Sequence, residues 1–301
     1  MSDNKLCLGS VQFGLNYGIN NKLGKPSKTQ VFHMLDIAVQ KGIEYFDTAA
    51  AYGDAEEILG EYFVSKDLQK SVKIISKLMP NLIEKGCKDA EIIVKREINR
   101  SLKRLGVDSL EGYLLHTPTD FYNTDVMSGL SQAKNEGLIK NLGVSIYETQ
   151  HALDVVNSGI VDYIQIPYNV FDQRLEITGF FKAAKDNQVK VFARSPFLQG
   201  LIFMQREEIP GYLHRAENYL REFDRIISKY DMSRVEAALL LSYENPGIDY
   251  VVFGVDSFEQ LLQDIEVLNR SRDFSECMTE LREHFINIEK EIIFPSLWAK
   301  R

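Results

Sequence analysis

Gly42-Ile43-Glu44-Tyr45-Phe46-Asp47-Thr48-Ala49-Ala50-Ala51-Tyr52-Gly53 is the stretch that decides the fold. Its apolar part, Ile43–Phe46, is too short for a helix and is rich in residue types that a pleated sheet buries, so it reads as an inner strand. Asp47 then falls at the carboxyl end of that strand, and Tyr52 on the loop beyond it. Runs of the same kind recur on both sides, at Leu6–Leu8, Val72–Ile75, Gly112–Leu115, Asn141–Val144, Tyr163–Ile166, Val189–Ala193 and Tyr250–Phe253, which makes eight in all.

Amphipathic segments lie between them. Thr29–Lys41 carries Val31, Leu35, Ala38 and Val39 on one stripe, and Ala90–Leu105 carries Ile93, Val94, Ile98, Leu102 and Leu105. Residues 149–157, 176–187, 216–230, 233–243 and 257–268 share this spacing, which gives each helix one buried face. Ser27, Asp89, Thr149 and Ser233 are placed to cap helices, and Gly106 and Gly137 to end them. Strand–helix alternation without a break in composition means a parallel sheet covered by helices. Eight repeats favour an α/β architecture closed as a single (β/α)8 TIM barrel, residues 1–301 forming one domain with an extra C-terminal helix after about Glu276. The long connections Gly14–Ser27 and Gln199–Gly211 are expected to overhang the barrel mouth, where long loops carry function.

Bulk properties narrow the function classes. The 301 residues are 45% hydrophobic and 26% charged, ordinary for a globular chain. A formal net charge of −8 leaves no basic footprint for nucleic acid. The three cysteines, Cys7, Cys87 and Cys277, form no CxxC pair, so neither a disulfide framework nor a zinc knuckle is expected. No apolar run approaches the about 18 residues of a membrane span, and the amino terminus lacks the pattern of a signal peptide. A cytoplasmic protein with a small-molecule partner is expected. His33, His116, His151, His214 and His284 are scattered and HExxH is absent, so no metal site is expected.

In a (β/α)8 barrel, chemistry gathers at the carboxyl ends of the strands. Asp47, Lys77 and His116 follow three consecutive strands, with Tyr52 on the first loop. Tyrosine alone is too weak an acid near neutrality, with an ordinary pKa of about 10. An ammonium about 4 Å away favours the phenolate by about 4 kcal/mol at an effective dielectric of about 20. Lys77 is the candidate for that charge, Asp47 for holding the lysine protonated, and His116 for orienting a substrate oxygen. Such a set hydrogen-bonds and protonates a developing alkoxide.

The quoted stretch, with Glu57 and Leu59-Gly60 after it, closely resembles the signature of the aldo-keto reductase superfamily. The resemblance continues through Ile74–Lys77, Tyr113–His116, Gly137–Ser145, Gln165–Asn169 and Ser195–Gly200, in family order over nearly the whole chain. It implies NAD(P)H-dependent reduction of an aldehyde or ketone to the alcohol, a catalytic tetrad of Asp47, Tyr52, Lys77 and His116, and a nicotinamide cofactor extended across the barrel mouth. Consistent with a cofactor held outside a Rossmann unit, no GxGxxG motif follows any strand. By the same resemblance, Ser145 and Gln165 hold the carboxamide, and Ser195, Pro196, Phe197, Gln199 and Gly200 run along the pyrophosphate. Gly254, Val255, Gln260 and Asp264 surround the adenosine end, and Gln12 and Arg194 complete the cofactor contacts.

Three positions depart from the family pattern. Ile146 replaces the asparagine that often follows the serine, removing one carboxamide contact. Arg194 replaces a tyrosine that stacks on the nicotinamide; a planar guanidinium can also stack. The segment Gly254–Gln260 contains no Lys or Arg for a 2′-phosphate, whereas Asp256 and Glu259 would repel one. Family habit and local charge thus oppose each other, and NADP(H) is kept slightly ahead of NAD(H). Asn16, Tyr17, Asn20, Asn21 and Lys22, with Thr117, Thr119, Asp120, Tyr122 and Asn123, suit a hydroxylated carbonyl compound such as a sugar derivative, or are simply solvated loops. Two other readings stand beside the reductase: a cofactor-sensing regulatory module on the same barrel, and a glycoside hydrolase, which needs a carboxylate partner for Asp47 that is not evident.

Overall fold

The computed structural model describes residues 4–84, 86–268 and 273–298. Eight parallel strands close into a barrel in sequence order: β1 Leu6–Gly9, β2 Tyr45–Asp47, β3 Lys73–Lys77, β4 Leu110–Leu115, β5 Ile139–Ser145, β6 Tyr163–Pro167, β7 Lys190–Arg194 and β8 Tyr250–Phe253. Closure comes from β1 pairing with β8, Leu6 opposite Val251 and Leu8 opposite Phe253. All eight expected strands are present, with ends shifted by a few residues. The fold is a (β/α)8 TIM barrel.

Strand alternation explains what fills the barrel and what faces its mouth. Side chains alternate between the two faces of a strand. On the inward parity, Cys7, Tyr45, Ile75, Leu114, Tyr163, Phe192 and Val252 form one buried cluster that plugs the barrel. The next inward position toward the carboxyl end of each of these strands is Gly9, Asp47, Lys77, His116, Gln165, Arg194 and Gly254. The opposite parity, including Leu8, Phe46, Ile74, Leu115, Ile164 and Val191, packs under the helices in the main core.

The helical layer follows the expected faces. Helix Lys28–Gln40 opens on Ser27 in a reciprocal capping box with Gln30, and Arg234–Tyr243 on Ser233 with Glu236. Asp89 stands at the N-cap of Ala90–Leu105 without a side-chain cap bond, and Thr149 is already inside its helix, preceded by Glu148. The segment 176–187 is helical only from Phe180, after Gly179 at φ 77°. Two helices stand beyond the expected ones: Ala55–Ser65 directly after the Tyr52 loop, and Thr124–Asn135, which Asn123 caps through Asp125 and Val126 N–H. Between β7 and β8 run two helices, Ala216–Ser228 and Arg234–Tyr243. The extra carboxyl-terminal helix is Ser275–His284, followed by a turn at Lys290–Ile293. No helix among the described residues is long and apolar enough to cross a membrane.

Helix Ala55–Ser65 sits hard against Ala90–Leu105 because Gly60 has no side chain: a Cβ there would lie 2.1 Å from the Arg104 carbonyl oxygen. Gly60→Ala should therefore destabilise the protein by about 1–3 kcal/mol, measured as a lower urea midpoint. An unchanged midpoint would show that the helices separate at no cost.

Candidate functional site

Asp47 ends β2 and Lys77 ends β3, both pointing into the barrel. Lys77 Nζ lies 2.6 and 2.7 Å from the two Asp47 oxygens and donates to the Thr48 carbonyl at 2.9 Å. The lysine side chain is 0% exposed and the aspartate 4%. Two charges taken this far out of water persist only when paired and fully hydrogen-bonded. Gln165 of β6 completes the set, its Nε2 donating to Asp47 Oδ2 at 2.8 Å, while Ser145 of β5 donates to Gln165 Oε1 at 3.1 Å.

Above this floor, Tyr52 and His116 form the wall of a cleft. Their rings meet edge to face with centres 5.8 Å apart, and Lys77 Nζ lies 5.1 Å from the centre of the Tyr52 ring. The expectation that Lys77 acidifies Tyr52 needs correction, because its charge is held by Asp47. Burial pushes the Tyr52 phenol above its ordinary pKa, Asp47 adds to this, and Arg194 pulls the other way. Tyr52 therefore stays protonated and is a ready donor. Burial, with Lys77 and Arg194 adding to it, pushes His116 down to about 3. Its imidazole is neutral near pH 7, and its Nδ1 is buried with no hydrogen-bond partner.

The cleft encloses about 570 Å³ and runs from Tyr52 and His116 over the ends of β7 and β8. Of the expected cofactor contacts, Gln12, Arg194, Ser195, Pro196, Phe197, Gln199, Gly200, Gly254, Gln260 and Asp264 line it. Ser145 and Gln165 do not: they lie beneath the floor, bonded to each other and to Asp47. Val255 is 1% exposed and packs in the core. Glu259 and Thr117–Asn123 are also outside the lining, whereas Tyr17, Asn20 and Asn21 are on it. Asn21 is already engaged with the Tyr17 and Gly24 carbonyls and with Asp256. Sequence reasoning missed Tyr147, Ser233 and Arg234, which the fold folds onto the cleft. Arg234 gives Nε and NH2 to Asp224 at 2.6 and 2.5 Å and NH1 to the Ile202 and Met204 carbonyls.

These residues fit an extended dinucleotide. The loop after β7 carries three non-glycine residues at positive φ, Ser195 at 65°, Leu198 at 45° and Gln199 at 55°, then Gly200 at 87°. Left-handed backbone concentrated on one loop is strain of the kind functional loops hold. Gln12 Oε1 is buried without a partner, and a Cβ on Gly254 would come within 2.4 Å of it, so only glycine leaves that amide its place. Asp47, engaged by Lys77 and Gln165, gains no carboxylate partner from Glu111. Glu111 lies in β4 at its amino end, bonded by Tyr163 and Lys140, on the side of the plug away from Asp47. Among the described residues, no group of three or more His, Cys, Asp or Glu could hold a metal ion.

Two outcomes test this arrangement. Lys77→Met strands Asp47 without its cation and should cost about 3–5 kcal/mol of stability, while Asp47→Asn combined with Lys77→Met should cost less; a single variant as stable as the parent would refute the buried pair. The second concerns His116. Unfolded, it titrates near 6.5; folded, near 3. Between those values only the unfolded chain takes up the proton, so stability falls as pH drops below about 6.5. His116→Gln should lose less stability than the parent between pH 7 and pH 5 in denaturant titrations, and equal losses would contradict the depressed value.

The sequence profile of the Aldo/keto reductase family matches residues 5–284. Among curated proteins, an uncharacterised oxidoreductase of Bacillus subtilis, YqkF, is 26% identical over 274 residues, covering 85% of this chain and 88% of its own. An NADH-specific methylglyoxal reductase of Escherichia coli is 23% identical over 261 residues, covering 76% and 79%. In three dimensions, an aldo-keto reductase of Bacillus halodurans, solved in its holo form, superposes with a TM-score of 0.71 at 20% identity, covering 94% of this chain and 95% of that one. With a family match along nearly all of its length and the closed barrel that its relatives share, the chain belongs to the Aldo/keto reductase family of oxidoreductases.

Proposed function

We propose that the protein is a cytoplasmic NAD(P)H-dependent carbonyl reductase, residues 1–301 acting as one unit on a small-molecule aldehyde or ketone. The observation that supports this reading best is the meeting of a protonated phenol, a neutral imidazole and the buried Lys77–Asp47 pair at a cleft of about 570 Å³. A bound nicotinamide supplies hydride to the carbonyl carbon. Tyr52 donates its proton to the carbonyl oxygen as negative charge develops there. His116, neutral, hydrogen-bonds that oxygen and orients it. Beneath them the paired Lys77 and Asp47 form the floor on which the Tyr52 ring is positioned. The unpartnered Gln12, with Ser195–Gly200, would hold the cofactor across the mouth. Tyr17 and Asn20 suit a hydroxylated, sugar-derived substrate.

The charges at the adenosine end move the cofactor preference toward NAD(H). Asp256 and Asp264 both line that end. Arg234, the nearby cation, is already neutralised by Asp224. Burial pushes the Asp264 carboxyl well above the usual carboxylate range, so it is Asp256, without a cation beside it, that a 2′-phosphate dianion would face, whereas a ribose hydroxyl could donate to it. The NADH-specific relative points the same way.

Tyr52→Phe should lower kcat by about 10²–10⁴ while fluorescence titration shows nearly unchanged cofactor binding; retained turnover would refute the assignment of the acid. Separate titrations should show NADH bound at least as tightly as NADPH, with Asp256→Ser improving NADPH binding. Much tighter NADPH binding by the parent would reverse the cofactor preference.

A further inference from the structure

A side pocket of about 310 Å³ opens off the main cleft, beneath the segment Ile293–Ser296. Tyr17, Tyr147, Arg194, Ser195 and Gln199 line both spaces, and Asn169, Asp172 and Arg174 line the side pocket alone. The charges do not balance. Asp172 is clasped by Arg174, Nε to Oδ1 at 2.7 Å and NH2 to Oδ2 at 2.8 Å. Glu148, at the edge, is paired with Lys290 at 2.9 Å and lies 3.7 Å from Arg174. Arg194 is left over: among the described residues it forms no ion pair. Its guanidinium stacks on the Tyr147 ring at 4.5 Å and donates only to the Ser195 hydroxyl at 3.3 Å and the Ile146 carbonyl at 3.2 Å. A guanidinium has five N–H donors in a planar fork suited to an oxyanion, so several remain free.

A second donor faces the same space. Asn169 is 1% exposed. Its Oδ1 accepts from the N–H groups of Phe171 at 2.9 Å and Asp172 at 3.1 Å, which fixes the amide orientation. Nδ2 is then buried with no partner, and buried donors are rarely left so. Water could satisfy Asn169, but it would leave the charge of Arg194 uncompensated. The position of Arg194 ties the side pocket to the chemistry, since its field pulls down the pKa of both His116 and Tyr52.

We propose that this side pocket is an oxyanion subsite: the carbonyl compound reduced by the enzyme carries a carboxylate or a phosphate that binds Arg194 and Asn169 while its carbonyl lies at Tyr52 and His116. The inference rests on the reductase reading above and narrows its substrate class to anionic carbonyl compounds. It also gives a role to the arginine that stands where the family pattern has a tyrosine.

Paired substrates test it. Succinic semialdehyde against butanal probes a carboxylate, and glyceraldehyde 3-phosphate against glyceraldehyde probes a phosphate. The parent should favour the charged member of at least one pair by tenfold or more in kcat/KM. Arg194→Gln should collapse that ratio toward one, Arg194→Lys should keep part of it, and Asn169→Ser should reduce it. Binding is read separately, as protection from thermal unfolding by succinate or inorganic phosphate, present in the parent and lost in Arg194→Gln. Equal kcat/KM for charged and neutral members in the parent overturns the subsite and leaves the reductase intact. So does an Arg194→Gln variant that loses cofactor affinity but keeps the ratio, because Arg194 would then serve the cofactor. If none of the four compounds is reduced, the reductase reading fails, and Arg194-dependent protection by the anions alone still decides whether the subsite exists.

Discussion

One buried ion pair organises this protein. Asp47 and Lys77 end adjacent strands and hold each other in a place where neither could keep its charge alone. The desolvation that such a pair costs is recovered only with near-ideal geometry and with every remaining valence satisfied. The barrel supplies both. Strand pairing sets the two ends side by side, with Asp47 opposite Ile75, and the Thr48 carbonyl and the Gln165 amide take up what is left over. Everything placed above the pair depends on that floor.

The electrostatics of the cleft follow from this arrangement. Because Asp47 holds the ammonium from below and burial dominates above it, the Tyr52 phenol keeps its proton. His116 is neutral because burial and two cations oppose a third positive charge, so it can hydrogen-bond without competing as an acid. Farther along, the cleft changes character. Asp256 and Asp264 line it along with Gly254 and Gln260, and Arg194, which forms no ion pair among the described residues, stands at the end of β7 beside the Ile146 carbonyl.

The sequence reading worked where local periodicity and strand alternation carry the information. Short apolar runs located all eight strands, and alternation put Asp47, Lys77 and Arg194 at strand ends on the inward face, with His116 one residue beyond its strand. It worked less well for two helices that were not expected although they carry the same spacing: Ala55–Ser65, through Ala55, Ile58, Leu59, Tyr62 and Phe63, and Thr124–Asn135, through Val126, Met127, Leu130 and Ala133. Asp89 and Thr149 have the chemistry of caps, yet one makes no cap bond and the other lies a residue inside its helix, because cap geometry is decided by the chain entering the helix.

What the sequence determined by itself was the barrel, since eight short apolar runs alternate with amphipathic helices, and the placement of Asp47, Lys77 and His116 at strand ends on one rim. What only the tertiary structure decided was how those residues spend their charges. Ser145 and Gln165 turned out to brace Asp47 beneath the floor, Arg234 to be bound to Asp224, and Arg194 to form no ion pair among the described residues. Each of these outcomes depends on partners from distant segments, and a charge is paired or free only according to what the closed barrel brings within hydrogen-bonding distance of it.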